Sequence, residues 1–482
     1  MKKETIIFTI MAAAASGAEA QGIGDFSRER ERMIAEYNGF RNDIIGNYAK
    51  FLGEAWNDYK AFRGEKRFPG KKPATRPEAP AGDNTPHSAP EEIVPQSVTP
   101  REPKPDTAPL GQGTPVAIDP LAEKVTFSFY DTRMKATKVK VSTLASVSER
   151  DISECWARMQ QEGVYDKVKP SLKMLVAGAG LSDWLVFVLV RQYAGALCHG
   201  DSNTAIILSH YLLVNMGYDI RLGRTGGEMA LLVNFRQTVY ARPYLQLDGK
   251  RYSIYLKDNS PLGNVISGIY TCAIPKDTDL GRPVNLIMSA PKISSGKGIP
   301  FEVSANGISV SGSVDETAKR IAAEFPQTDI PVYAASCLQE GFRDKLLTQV
   351  REQVKGMTER DAANAILQFV QLAFKYATDG DQFGYEKPFF AEENFIYPAN
   401  DCEDRAVLFA VLVRNILHLD VHLLHYPNHE ATAVAFTDRS VTGDGYTYKG
   451  KRFIICDPTY FRASIGQCMP QFKDVKPEVE LW

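Results

Sequence analysis

Apolar residues are spaced differently in successive stretches of the chain. Across Asp25–Lys66, Met33, Ile34, Tyr37, Phe40, Ile44, Tyr48, Phe51, Leu52, Trp56, Tyr59 and Phe62 recur at three- or four-residue steps, which predicts a long amphipathic helix over residues 21–66, weakened locally at Gly53. Its aromatic stripe needs a groove, either on the protein's own body or on an envelope protein partner. Over residues 67–120 this pattern gives way to Pro with Ala, Gly, Thr and Glu, the composition of a disordered, semi-extended tether. Much later, Ala406–Leu417 (AVLFAVLVRNIL) is mostly apolar, as a buried helix is, with Asn400 or Asp401 placed to cap it. His429–Phe436 and Arg452–Asp457 read as strands, separated by the turn-rich Thr437–Gly450.

The middle of the chain becomes legible when it is compared with itself. Gln161–Lys167 (QEGVYDK) matches Gln339–Lys345 (QEGFRDK), Asp201 matches Asp401, and Gly249–Tyr252 (GKRY) matches Gly450–Phe453 (GKRF), at separations of roughly 180 to 200 residues. Two copies of one fold follow, over residues 121–290 and 291–482. The second carries about seventeen extra residues within Thr378–Pro398, rich in Phe and Tyr and expected to wall a cleft. Gln382 and Tyr397 in this loop are candidate hydrogen-bond donors.

Chemistry concentrates in Asn400–Arg405 (NDCEDR). Cys402 falls in the first turn of the helix, where unpaired N–H groups and the helix dipole favour a thiolate and can hold an oxyanion. Asp401, Glu403 and Asp404 oppose that thiolate, so a base must do more of the activation. Two adjacent antiparallel strands would set His429 beside Asp457, and packing the helix on that sheet would bring Cys402 to the imidazole. In the first copy Ser202 stands opposite Cys402, Gly227 opposite His429 and about Leu256 opposite Asp457, so that copy is expected to be non-catalytic. Cys456 alternates away from Asp457 into the core.

The order helix-Cys, strand-His, strand-Asp, with D-C-E-D, H-x-A-x-A-V and C-D-P-T-Y, resembles the transglutaminase-like cysteine peptidase superfamily over about Asp361–Tyr460. The resemblance implies an α+β fold of tandem transglutaminase-like (papain-like) domains, with helices packed on antiparallel sheets. It also implies Cys402 as nucleophile, His429 as general base and acid, and Asp457 as the group orienting the imidazole. The expected function is an exported cysteine peptidase or amidase acting on a protein or peptide through a thioester; the alternatives are a cross-linking transglutaminase and a non-catalytic envelope scaffold. Similarity to bacterial periplasmic members implies a calcium site near Asp401, Glu403 and Asp404, whose oxygen ligands suit that ion. Arg405 is the alternative partner for this acidic cluster.

Composition changes this picture little. The 482 residues are 44% hydrophobic, and the net charge of −2 gives no sign of a nucleic-acid partner. No phosphate-binding glycine loop or H-E-x-x-H occurs, so no cofactor is called for. Residues 1–20 (MKKETIIFTIMAAAASGAEA) read as a secretory signal peptide cut before Gln21, placing the mature protein in the periplasm or at the cell surface, with no later run long enough to be a transmembrane segment. Seven scattered cysteines lack metal-ligand spacing, and their odd number leaves at least one thiol free or paired between chains, with Cys402 the expected free one.

Overall fold

In the computed structural model the described residues are 56–62, 64–68, 70–80, 122–257, 266–272 and 281–482, with helical backbone at 31–33, 35, 36 and 39. The expected leader at 1–20, most of the expected helix and the expected tether beyond residue 80 lie outside them. Mixed helix and antiparallel sheet make this an α+β protein. Among the described residues no helix is long and apolar enough to cross a membrane.

Two sheets dominate. The first contains β1 (Trp56–Phe62), β4 (Ile220–Thr225), β5 (Glu228–Asn234), β6 (Tyr244–Leu247), β7 (Lys250–Tyr255) and β8 (Ile266–Cys272) in the order β1-β8-β4-β5-β7-β6. The hairpin β2 (Lys124–Phe129) with β3 (Thr132–Thr137) packs on the Val164–Ala179 and Asp183–Leu197 helices, and β9 (Gly298–Ala305) with β10 (Ile308–Asp315) packs on the Glu340–Val354 and Glu359–Ala373 helices. A short parallel pair joins β11 (Lys375–Tyr376) to β12 (Ala399–Asn400). The second sheet contains β13 (Asp420–Tyr426), β14 (His429–Ala435), β15 (Gly445–Tyr448), β16 (Lys451–Cys456) and β17 (Glu478–Glu480) in the order β15-β16-β14-β13-β17.

Each sheet follows a buried helix, Ser202–Asn215 in the first half and Cys402–Leu417 in the second. The ladders match rung for rung: Leu232 pairs with Ile254 as Ala433 pairs with Ile455, and Thr225 pairs with Glu228 as Tyr426 pairs with His429. The turns agree as well. Asp248–Gly249 and Lys449–Gly450 both take two positive φ values, the two-residue hairpin geometry that favours glycine in second place. This register corrects the alignment of the copies: Glu228, not Gly227, stands where His429 stands, because both hairpins turn over two residues and the ladder admits no slip.

Two expectations for the amino-terminal region fail. Residues 56–62 form β1, antiparallel to β8 at the edge of the first sheet, rather than the end of an amphipathic helix. Trp, Tyr and Phe suit strands as well as helices, and an open sheet edge satisfies the backbone that a short helix past Gly53 would otherwise satisfy itself. Residues 64–68 and 70–80 are not a free tether but a strap bound to both halves. The Ala241 N–H donates to the Glu65 carbonyl in the first half, and Phe461 pairs with the strap at Pro77 and Ala79 in the second. Phe68 and Ala79 are buried.

Candidate active site

The Cys402–Leu417 helix is apolar around most of its circumference because it is enclosed, packing on β13, β14 and the Glu359–Ala373 helix. Its amino end is a knot of polar groups with almost no solvent access. Asp401 is the N-cap residue, and Asp404 accepts its N–H at 3.1 Å with one carboxylate oxygen and that of Phe389 at 2.8 Å with the other. Arg405 turns the opposite way: its guanidinium donates to the carbonyls of Val370, Gln371, Phe374 and Lys375, closing the carboxyl end of the Glu359–Ala373 helix. Arg405 is therefore a cap for a neighbouring helix rather than the counter-ion of the acidic cluster.

His429 opens β14 and Asp457 follows β16, so the β14–β16 pairing sets them side by side. His429 Nε2 lies 2.9 Å from Asp457 Oδ2, while Asp457 Oδ1 accepts the N–H groups of Thr459 at 2.9 Å and Tyr460 at 3.1 Å. The Phe472 ring lies parallel to the imidazole, 5.2 Å from it. Gln371 Nε2 donates to the carbonyls of Asp457, Tyr460 and Ala463, which fixes the loop carrying the carboxylate. With Nε2 committed to Asp457, Nδ1 is the nitrogen left to accept a proton.

Cys402 is 1% exposed, and its thiol donates to Glu403 Oε2 at 3.1 Å. The structure thus joins the histidine to the aspartate directly, whereas the hydrogen bond it gives the thiol goes to a carboxylate. Burial, then the Glu403 charge, push this thiol well above its ordinary value, with Lys72 pulling the other way. The thiolate that the helix terminus favours is therefore suppressed in this covered state.

Sequence reasoning missed Lys72. From the strap its ammonium reaches Asp401 at 2.9 Å and, more closely still, Glu386 and Glu403, with its side chain 4% exposed. Burial opposes its charge, but Asp401 and Glu403 hold it protonated well above the ordinary lysine value. Asp379, Glu386, Asp401 and Glu403 each offer an oxygen within 4.8 Å of the others. Asp404 was expected in this group but is committed to backbone N–H groups instead. Asp379 and Glu386 come from the extra loop of the second half, which therefore walls the site with carboxylates. Its aromatics serve the core: Phe390 packs on Phe325 and Tyr333, and Phe395 on Phe301, Phe342 and Phe374.

Gln382 Nε2 donates to the Ala399 carbonyl and is occupied elsewhere, while the Tyr397 ring stacks on Phe389. Tyr376 stands closer to the chemistry. It pairs with Asn400 across β11 and β12 and donates its hydroxyl, pushed up by burial, to the Pro73 carbonyl at 3.0 Å. A tyrosine within a two-residue parallel bridge has no sequence signature that would have singled it out. Cys456 lies in the core, and Cys155, Cys198, Cys337, Cys402, Cys456 and Cys468 are unpaired thiols.

The equivalent place in the first half is an open cavity of about 490 Å³, lined among others by Asp201, Ser202, Arg191 and Lys257. Ser202 begins its helix as Cys402 does, Glu228 pairs with Lys257 at 3.1 Å, and Leu256 follows β7 as Asp457 follows β16. No family model, curated protein or solved structure matches the chain.

Proposed function

We propose that the protein is an exported thiol hydrolase of transglutaminase-like architecture, a cysteine peptidase or amidase held here with its site covered. The observation that carries the reading is the His429–Asp457 hydrogen bond, with Asp457 anchored by two backbone N–H groups and both residues on the sheet against which the Cys402 helix packs. A solvent-exposed ion pair needs no such anchoring. A buried imidazole fixed in one tautomer is the arrangement that proton transfer requires. The matching strand order of the two halves supports the tandem reading, with the first half lacking the thiol and the imidazole.

In this mechanism His429 Nδ1 takes the Cys402 proton as the sulfur attacks the substrate carbonyl. The C–S bond forms, the carbonyl π electrons move to oxygen, and backbone N–H groups at the helix terminus hold that charge. The imidazolium, stabilised by Asp457, returns the proton to the amine as the C–N bond breaks and leaves a thioester. Water, deprotonated by the same Nδ1, releases the acid and restores the thiol. An amine in place of water gives the cross-linked product of a transglutaminase.

The Asp379, Glu386, Asp401 and Glu403 oxygens also suit a hard cation such as calcium, which would have to take the place of Lys72 and would neutralise the charge beside the thiol. The burial of Cys402 and its bond to Glu403 favour the competing reading, a scaffold with an inert thiol. The test is digestion of a proteome-derived peptide mixture by the full chain, by Lys72→Met and by Cys402→Ala, read by mass spectrometry. New amino termini that vanish with Cys402→Ala support hydrolysis and Cys402-dependent isopeptides support transfer, while the absence of both from all three proteins leaves the scaffold.

A further inference from the structure

The strap runs in turn past the neighbours of His429, Cys402 and Asp457. Gly70 N–H donates to Asn428 Oδ1 at 3.0 Å, next to His429. A side chain at Gly70 would lie 2.5 Å from that amide, so the chain approaches as closely as a glycine allows. Lys72 then enters the carboxylates flanking Cys402, Pro73 gives its carbonyl to Tyr376, and the Pro77 carbonyl and Ala79 N–H pair with Phe461 beyond Asp457. Around Lys72 most of these grips are to strap backbone atoms, with Gly70 admitting no side chain and Arg76 adding its guanidinium to the Gln371 carbonyl. Lys72 is the strap side chain that enters the carboxylates beside Cys402. Extended peptides are recognised by this division of labour, with main-chain bonds giving affinity and a side-chain pocket giving selectivity.

We propose that the pocket of Asp379, Glu386, Asp401 and Glu403 beside Cys402 is a recognition subsite for the lysine-type side chain of a polypeptide substrate, and that Lys72 is its occupant within the chain itself. The word substrate rests on the hydrolase reading; the preference for a cationic side chain is a binding property and does not. Three partners receive the Lys72 ammonium, Glu386, Asp401 and Glu403, matching its three N–H donors. A planar guanidinium would instead seek a coplanar pair of oxygens. Asp401, fully buried, keeps Oδ1 without a hydrogen bond from the protein, so the pocket retains acceptor capacity that Lys72 leaves unused. An uncharged group replacing Lys72 would leave buried carboxyls either unpaired or obliged to take up protons, so the pocket favours a displacing group that brings positive charge. Covering the site and selecting what uncovers it are then one interaction.

The test uses the full chain with EDTA present and a fluorescent synthetic peptide of residues 66–80, made with lysine or with norleucine at position 72. Lys72→Met should bind the lysine peptide at least tenfold more tightly than the norleucine peptide, by anisotropy, and only the lysine peptide should slow iodoacetamide labelling of Cys402. Equal binding of both peptides, or binding of neither, overturns the proposal. Should Lys72→Met fail to fold, the wild-type chain is incubated with excess peptide. Faster hydrogen exchange over 64–68 and 70–80 with the lysine peptide alone then supports the subsite, and the same rate with both peptides removes it. Lysine-selective binding without Cys402-dependent hydrolysis of any peptide would keep the subsite and end the hydrolase reading. Hydrolysis without lysine preference would do the reverse.

Discussion

Asp457 holds His429 with one carboxylate oxygen and two backbone N–H groups with the other, so the carboxylate cannot turn away without breaking the start of its own loop. Asp457→Asn keeps the shape but can present an N–H to the imidazole, which turns the reactive tautomer around. Cys402-dependent amide hydrolysis is expected to fall by about two to four orders of magnitude, with an unchanged melting curve. Comparing turnover with Tm in the same preparation checks this; undiminished turnover would remove Asp457 from the mechanism.

Stability depends on pH in part through the buried carboxyls around Arg67. Its guanidinium bonds to Glu480 and lies 3.8 Å from Glu430. Burial nevertheless raises Glu430 to about 8 and Glu480 to about 7, against an ordinary 4.5. Between those values the folded chain holds protons that the unfolded chain has lost, so stability falls as pH rises through this window. The histidines act at the other end. His210 and His422, held at about 4 by burial against an ordinary 6.5, lower stability as pH falls from 6.5 toward 4. Thermal melts should show a maximum between these limbs and lose about 1–3 kcal/mol on going from pH 6.5 to pH 9. Arg67→Met should cost about 3–5 kcal/mol at pH 8.5 and clearly less at pH 5.5, where both carboxyls are protonated.

Arg405 should be indispensable to folding though remote from chemistry. Arg405→Met leaves the carbonyls at the end of the Glu359–Ala373 helix buried without their donor, a loss of about 3–5 kcal/mol by urea denaturation. Arg405→Lys should recover only part of it, since one ammonium cannot reach the carbonyls of four residues. Full recovery by lysine would show that charge, not the forked geometry, is what the helix end requires.

Calcium and Lys72 should compete. Millimolar calcium is expected to raise the Tm of Lys72→Met by several degrees and that of the wild type by less, because in the wild type an ammonium must leave first. Equal shifts in the two proteins would place the ion elsewhere.

The second half was legible because its signals are local. A helix apolar on nearly every side, a capping acid before it and strands separated by turn residues brought His429 to Asp457 without knowledge of the rest of the fold. The strap was illegible for the converse reason. Pro, Gly and Lys describe a chain with no preference of its own, and what orders it are carboxylates and carbonyls more than three hundred residues away, such as Glu386, Asp401 and Phe461. Residues 56–62 failed similarly, since an aromatic at every third or fourth position serves a helix until a sheet edge competes for the backbone. The displacement of Gly227 by Glu228 opposite His429 is a one-residue error that only ladder pairing could expose.

The shared rungs of the two sheets give this chain an internal blank. A cysteine introduced at Ser202, a histidine at Glu228 and an aspartate at Leu256 would stand on a helix, a hairpin and a strand end already aligned as in the other half, beside a cavity that is open to solvent. Reactivity installed there would be read without a cover, in the same molecule and the same tube as the covered original.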